Sequence, residues 1–275
     1  MAGKDPKKTL PPLHEYKEAK VCSKVVSQYG IDALRFNNIC WIQDDIFLLS
    51  AGKFVQFFNL STGHVDWEMG PENGGVGFVA VHPSRKFYVV GERTPSNPKI
   101  RVYTYPEKTL SFELMDGAIS GFSACAFDRQ GSRMATVATE PDYTLSLWDW
   151  EKKVLLLRNK CFSADVTTVG FSRFDHSLLV TGGSGHIKFW QTAKTFTGVK
   201  LQGNLGKFGR MEISNITAFE TLPSGKVLSG SESGNLLLWE GDLIKCIFVK
   251  TIHDAAGEEN VLDTQSFDTV HGRGD

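Results

Sequence analysis

From Asn38 onward, apolar and polar residues alternate with a period of two, in short runs bounded by Gly, Pro, Asn, Asp and Ser. That pattern predicts half-buried β-strands, because successive side chains on a strand point to opposite faces. The runs group into five units, Asn38–Glu68, Gly77–Leu114, Ser123–Leu157, Thr167–Gln202 and Ile216–Val249, each readable as four strands. Turn chemistry agrees with these divisions. His82-Pro83-Ser84, Asp128-Arg129-Gln130-Gly131 and Leu222-Pro223-Ser224-Gly225 fall between expected first and second strands, where a tight reversal is needed. Gly182-Gly183-Ser184-Gly185 and Ser233-Gly234-Asn235 fall between second and third strands and tolerate positive φ. So regular a series leaves no room for a long helix. The expected fold class is all-β.

The third strand of each unit repeats a motif: FVQFFN at Phe54–Asn59, IRVYTY at Ile100–Tyr105, LSLWDW at Leu145–Trp150, IKFWQT at Ile187–Thr192 and LLLWEG at Leu236–Gly241. The aligned aromatics Phe58, Tyr103, Trp148, Trp190 and Trp239 are 45, 45, 42 and 49 residues apart. A period in the low forties, closed by pairs such as Trp148-Asp149 and Trp239-Glu240, is the mark of WD40 repeats. One such unit cannot bury both faces of its sheet, so neighbours must stack into a β-propeller. These propellers usually close with about seven blades. The five units here therefore predict an incomplete ring over residues 25–250, with a polar leader at 1–24 and a disordered tail at 251–275; the alternative is a compact closure that recruits Val21–Ile31. The five aromatics are the expected blade anchors.

A hydrophobic fraction of 41% and a charged fraction of 22% belong to an ordinary globular chain. A net charge of −1 supplies no field for nucleic acid or anionic lipid. The odd, widely spaced cysteines (Cys22, Cys40, Cys125, Cys161, Cys246) predict reduced thiols and an intracellular setting. No apolar run approaches the ~18 residues that span a bilayer, and the early lysines precede no signal-like apolar stretch.

The chemistry-bearing motifs fail one by one. Gly203–Gly209 lacks phosphate-loop spacing, and Gly182–Gly185 lacks a dinucleotide fingerprint. No histidine pair has metal-ligand spacing, and no serine sits on a nucleophile elbow. The expectation is no catalysis, cofactor, metal, membrane, nucleic acid or small-molecule substrate. Arg273-Gly274-Asp275 is read as a chance tripeptide. One stretch stands apart, Lys194–Ser214, expected to be a long rim loop. It places Lys194, Lys200, Lys207 and Arg210 among Phe196 and Phe208, which suits a protein contact; the alternative is a solvated insertion whose phenylalanines fold back onto the blade. Partner contacts are also expected at the loops around Pro95–Lys99, Pro141–Tyr143 and Ser233–Gly234, since loops on a rigid scaffold carry function.

The repeats are degenerate. Thr136, Thr181 and Ser229 stand where a hydroxyl would meet the third-strand tryptophan, but no Gly-His pair opens a unit. Asp142, Ser184 and Ser233 occupy the position six before tryptophan. The polar network is incomplete, and packing between blades must supply the stability. The strings PDYTLSLWDW (Pro141–Trp150), GSGHIKFW (Gly183–Trp190), KTFTGVKLQGNLGKFG (Lys194–Gly209) and GKVLSGSESGNLLLWEGDLIK (Gly225–Lys245) together resemble the axonemal WD-repeat family of cilia- and flagella-associated proteins. The resemblance covers roughly residues 25–250 and matches the first propeller of that family. It implies a non-enzymatic part of a tether/tether-head complex on doublet microtubules, supporting cilium and flagellum motility. The implied partners are inner-arm dynein, a companion WD-repeat tether protein and doublet-microtubule components. The family's second propeller and coiled coil have no counterpart in this sequence. A generic adaptor propeller of the ubiquitin-ligase or trafficking kind is the alternative. It would gather arginines or carboxylates around its channel, whereas Glu92, Glu140, Asp142 and Glu232 are scattered.

Overall fold

Every alternating run becomes a strand, and each set of four closes into one antiparallel meander. The computed structural model describes residues 30–32, 38–71, 74–196 and 198–248. The expected leader and tail lie outside these residues. The first blade holds β1 (Ile39–Trp41), β2 (Ile46–Ala51), β3 (Phe54–Asn59) and β4 (Val65–Met69), and the second β5 (Gly75–Val81), β6 (Phe87–Arg93), β7 (Ile100–Thr104) and β8 (Leu110–Leu114). The third holds β9 (Phe122–Phe127), β10 (Met134–Ala138), β11 (Thr144–Asp149) and β12 (Val154–Lys160). The fourth holds β13 (Val166–Phe171), β14 (Leu178–Gly183), β15 (His186–Thr195) and β16 (Gly198–Leu205). The fifth holds β17 (Ile216–Thr221), β18 (Val227–Ser231), β19 (Leu236–Glu240) and β20 (Leu243–Phe248). Within each sheet the strand order follows the sequence.

The core lies between blades rather than within them. Leu48, Val55 and Phe57 of the first blade pack on Val76, Val79 and Tyr88 of the second. Phe78, Val89 and Val102 meet Phe122, Met134 and Trp148. Ala135, Leu145 and Leu147 meet Val169, Leu179 and Trp190. Val180, Ile187 and Phe189 meet Ile216, Val227 and Trp239. Among the described residues no such layer joins the first blade to the fifth, so the five form an open arc. Burial at roughly 25 cal/mol per Å² makes these four layers the main source of stability.

Polar links on one face lock neighbouring blades in register. Arg85 meets Asp44 at 2.6 Å, Arg133 donates to the His176 carbonyl at 2.8 Å, and the Arg173 amide donates to Thr221 Oγ1 at 3.3 Å. The first two links join the turns after neighbouring blades' first strands, and the third runs from such a turn to the end of β17.

Candidate interaction surface

The five expected anchors all sit on third strands, β3, β7, β11, β15 and β19, directly opposite Phe47, Tyr88, Met134, Leu179 and Val227 of the second strands. Trp148, Trp190 and Trp239 are buried, at 2%, 2% and 0% exposure. Phe58 and Tyr103 are half-buried. Two residues beyond each tryptophan's partner on the second strand lies a hydroxyl, and the indole Nε1–H donates to it at 2.9 Å: Trp148 to Thr136, Trp190 to Thr181, Trp239 to Ser229. The same register position is Leu49 in the first blade and Val90 in the second, where phenyl and phenol rings have no N–H to satisfy. A buried donor without a partner costs about 1–3 kcal/mol, so hydroxyl and indole occur together.

A second knot went unread in the sequence. Trp150 is buried, and its Nε1–H donates to the Gly131 carbonyl at 2.7 Å. His82 from the second blade reaches the same oxygen through Nε2 at 3.0 Å, while the Ser84 amide donates to its Nδ1 at 3.1 Å. These two bonds together place the ring proton on Nε2. The available signal was the second tryptophan of LSLWDW, which a repeat reading centred on Trp148 passes over.

The Lys194–Ser214 stretch is not a long loop. Unbroken pairing runs from Lys188 opposite Leu205 to Thr195 opposite Gly198, making β15 and β16 a projecting hairpin. In the second, third and fifth blades a bulge interrupts the same pair of strands beside the anchor residue. The first and fourth blades have none there, and in the fourth the pairing runs on without a shift to Thr195 and Gly198. At the tip Phe196 is fully exposed, and Lys200 is exposed on the returning strand. The Lys194 side chain lies outside the description.

Beyond the hairpin the expectation divides. Phe208 is a core residue, 9% exposed and set edge-on to Trp239 at 5.4 Å. Gly206 permits this approach, since a Cβ there would lie 2.6 Å from Ile187 and 2.9 Å from Trp239. Lys207 is tied down, its amide donating to the Asp242 carbonyl at 2.8 Å and its ammonium meeting that carboxylate at 3.0 Å. Arg210 is exposed. Of the six candidate contact residues, the structure removes Phe208 from the surface and leaves Phe196 and Lys200 together on the arm.

The three expected contact loops also separate. Around Pro95–Lys99 the charges are consumed internally: Glu92, 5% exposed, accepts from Arg101 at 2.7 Å, and Lys99 meets Glu113 at 2.6 Å. The Pro141–Tyr143 loop adjoins an open cleft of about 610 Å³, lined by Glu140 and Pro141 from blade three. Ser233–Gly234 is an exposed turn. Among the described residues no group of three or more His, Cys, Asp or Glu could hold a metal ion. Burial pushes the Cys161 thiol up to about 11 and the Cys40 thiol up to about 12, away from the reactive thiolate. No helix of the described residues is long and apolar enough to cross a membrane.

Five stacked four-stranded meanders with aromatic anchors on their third strands define a WD-repeat β-propeller segment. No family model matches the chain. Cilia- and flagella-associated protein 44 of Trypanosoma brucei brucei is 52% identical over 263 residues, 95% of this chain and 15% of that protein. The Mus musculus protein of the same name is 40% identical over 239 residues, 86% of this chain and 13% of that protein. Echinoderm microtubule-associated protein-like 2 of Mus musculus is 30% identical over 213 residues, 71% of this chain and 32% of that protein. The chain belongs to the cilia- and flagella-associated protein 44 family, and it spans no more than 15% of the length of the family members compared.

Proposed function

We propose that the chain is a non-enzymatic scaffold segment of the ciliary and flagellar axoneme, acting by presenting fixed contact elements to neighbouring axonemal proteins. Its four inter-blade layers and serial polar links favour a platform whose surface keeps one shape. Family membership supports the location, and the microtubule-associated name of a weaker relative agrees with a microtubule setting. The finer role is to help tether the motor domain of an inner-arm dynein to the doublet microtubule, alongside a companion WD-repeat tether protein.

The single observation that carries the reading is the β15–β16 hairpin. An exposed aromatic on a fully paired arm offers a large apolar contact at little ordering cost. Lys200 beside it favours an acidic counterpart. The test is co-sedimentation of the purified chain with demembranated axonemes. Phe196→Ala with Lys200→Glu is expected to weaken sedimentation while leaving melting unchanged. Sedimentation equal to wild type would remove the arm from the contact. Recovery from ciliated cells with ubiquitin-ligase or trafficking subunits instead would favour an adaptor role.

A further inference from the structure

Clefts open beside Lys99, beside Phe174 and across the second, third and fourth blades, and their charges differ in one respect. In the cleft beside Lys99 the acids and bases neutralise one another, through the Glu92–Arg101 and Lys99–Glu113 pairs. In the cleft beside Phe174, Arg173 meets Glu220 at 3.7 Å and Asp128 meets Arg133 at 3.1 Å, while Arg129 donates to the Arg173 carbonyl at 3.3 Å, so no unpaired acid stands there. The 610 Å³ cleft spanning the second, third and fourth blades is unlike either. It carries Arg93 at its second-blade side, Glu140 from the third and Asp165 from the fourth. All three are exposed, and none joins an ion pair among the described residues.

The backbone that carries these charges is held in place. Arg93 pairs with Gly121 across an isolated antiparallel bridge, and its side-chain stem lies over that glycine, where a Cβ would come within 3.0 Å of it. The Thr139 amide donates to the Gly121 carbonyl at 2.9 Å, fixing the strand end that leads into Glu140. The Ser184 amide donates to the Asp165 carbonyl at 2.8 Å. The floor is backbone: a Cβ on Gly77 would stand 2.2 Å from the Phe122 carbonyl, so only glycine lets the two blades meet there. Beside the cleft, the loop containing Ser120 exposes Met115 and Ile119, each at 57%.

We infer that this cleft binds an extended peptide segment of a partner protein, in which a carboxylate side chain lies over Arg93 and a basic side chain lies between Glu140 and Asp165. Unpaired charges of opposite sign, carried on anchored backbone at the two sides of one cleft, match such a segment and set its direction. The Ser120 and Thr139 hydroxyls can serve its backbone, and Met115 and Ile119 its aliphatic neighbours. The inference rests on the cleft alone and does not depend on the axonemal reading or on the β15–β16 arm.

The test titrates fluorescein-labelled decapeptides against the full chain by anisotropy. Asp precedes Arg by two, three or four positions among Ser, Gly and Leu, with order-reversed peptides and Asn/Gln versions as controls. At least one spacing and order is expected to bind and its neutral version to fail. Arg93→Glu, and Glu140→Lys combined with Asp165→Lys, are each expected to weaken binding by about tenfold or more while melting as wild type does, and the distant Lys200→Glu to leave it unchanged. Equal binding of charged and neutral peptides would overturn the inference. So would no binding by any peptide, or equal losses from Lys200→Glu and Arg93→Glu.

Discussion

Thr136→Val tests the coupling between indole and hydroxyl that divides the five blades. Thr136 is 0% exposed and Trp148 is 2% exposed, and the Nε1–H to Oγ1 bond is 2.9 Å. Valine keeps the shape and removes the acceptor, leaving a buried N–H unsatisfied at a cost of about 1–3 kcal/mol. For a domain of this size that lowers Tm by about 2–12 °C, taking ~2–4 °C per kcal/mol. Trp148→Phe alone costs about 1–3 kcal/mol through lost transfer energy and cavity. The two changes together recreate the first blade's arrangement, where Phe58 stands at the anchor position, Leu49 stands at the hydroxyl's position, and no polar group needs a partner. The double variant is therefore expected to be more stable than the sum of the single losses by roughly 0.5–3 kcal/mol. The assay is urea unfolding of all four proteins, read by tryptophan fluorescence and by far-ultraviolet circular dichroism together. Strict additivity, or a Thr136→Val midpoint equal to wild type, would refute the reasoning.

Gly131→Ala and Gly225→Ala lie in equivalent turns at φ 75° and 76°, but a Cβ at Gly131 would sit 2.1 Å from His82 Nε2 while Gly225 faces open space. Both should lose about 1–2 kcal/mol to backbone strain, and thermal melts should show the larger loss for Gly131→Ala. Phe208→Ala should cost about 3–5 kcal/mol and Phe196→Ala within about 0.5 kcal/mol of nothing, since one is core and the other fully exposed; comparable denaturation midpoints would contradict both placements. Burial lowers the His186 imidazole below its ordinary 6.5, so below pH 6.5 the unfolded chain binds the proton more readily than the folded one. Stability from this group is therefore present above 6.5 and falls as the pH drops toward the folded value, and His186→Phe should flatten that slope; identical pH profiles would exclude it.

Much of the fold was legible because a propeller repeats its physics. Strand period, turn glycines and the recurring third-strand aromatic each report the same unit, so one ambiguous run such as Asn38–Ile42 is corrected by four others. Even the hydroxyls at Thr136, Thr181 and Ser229 could be placed, since register fixes which second-strand residue a tryptophan meets. What could not be read depends on contacts between units. Phe208 follows Gly-rich sequence typical of an exposed loop, and nothing local says that Gly206 brings it against Trp239. His82 and Trp150 come from different blades and meet at a carbonyl, which carries no sequence signal. The β15–β16 hairpin departs from the expected loop because its length is set by cross-strand pairing, which composition does not report. The cleft charges Arg93, Glu140 and Asp165 are far apart in sequence and converge only when three blades stack.

Cross-linking mass spectrometry of isolated axonemes from cells expressing the full protein tests the central claim most directly. Lysine-reactive links from Lys200 at the hairpin are predicted to reach another axonemal protein, through acidic segments that also carry apolar surface for Phe196. Links from Lys200 confined to its own chain, or recovery of the protein outside the axoneme fraction, would contradict the account of this propeller as an axonemal scaffold.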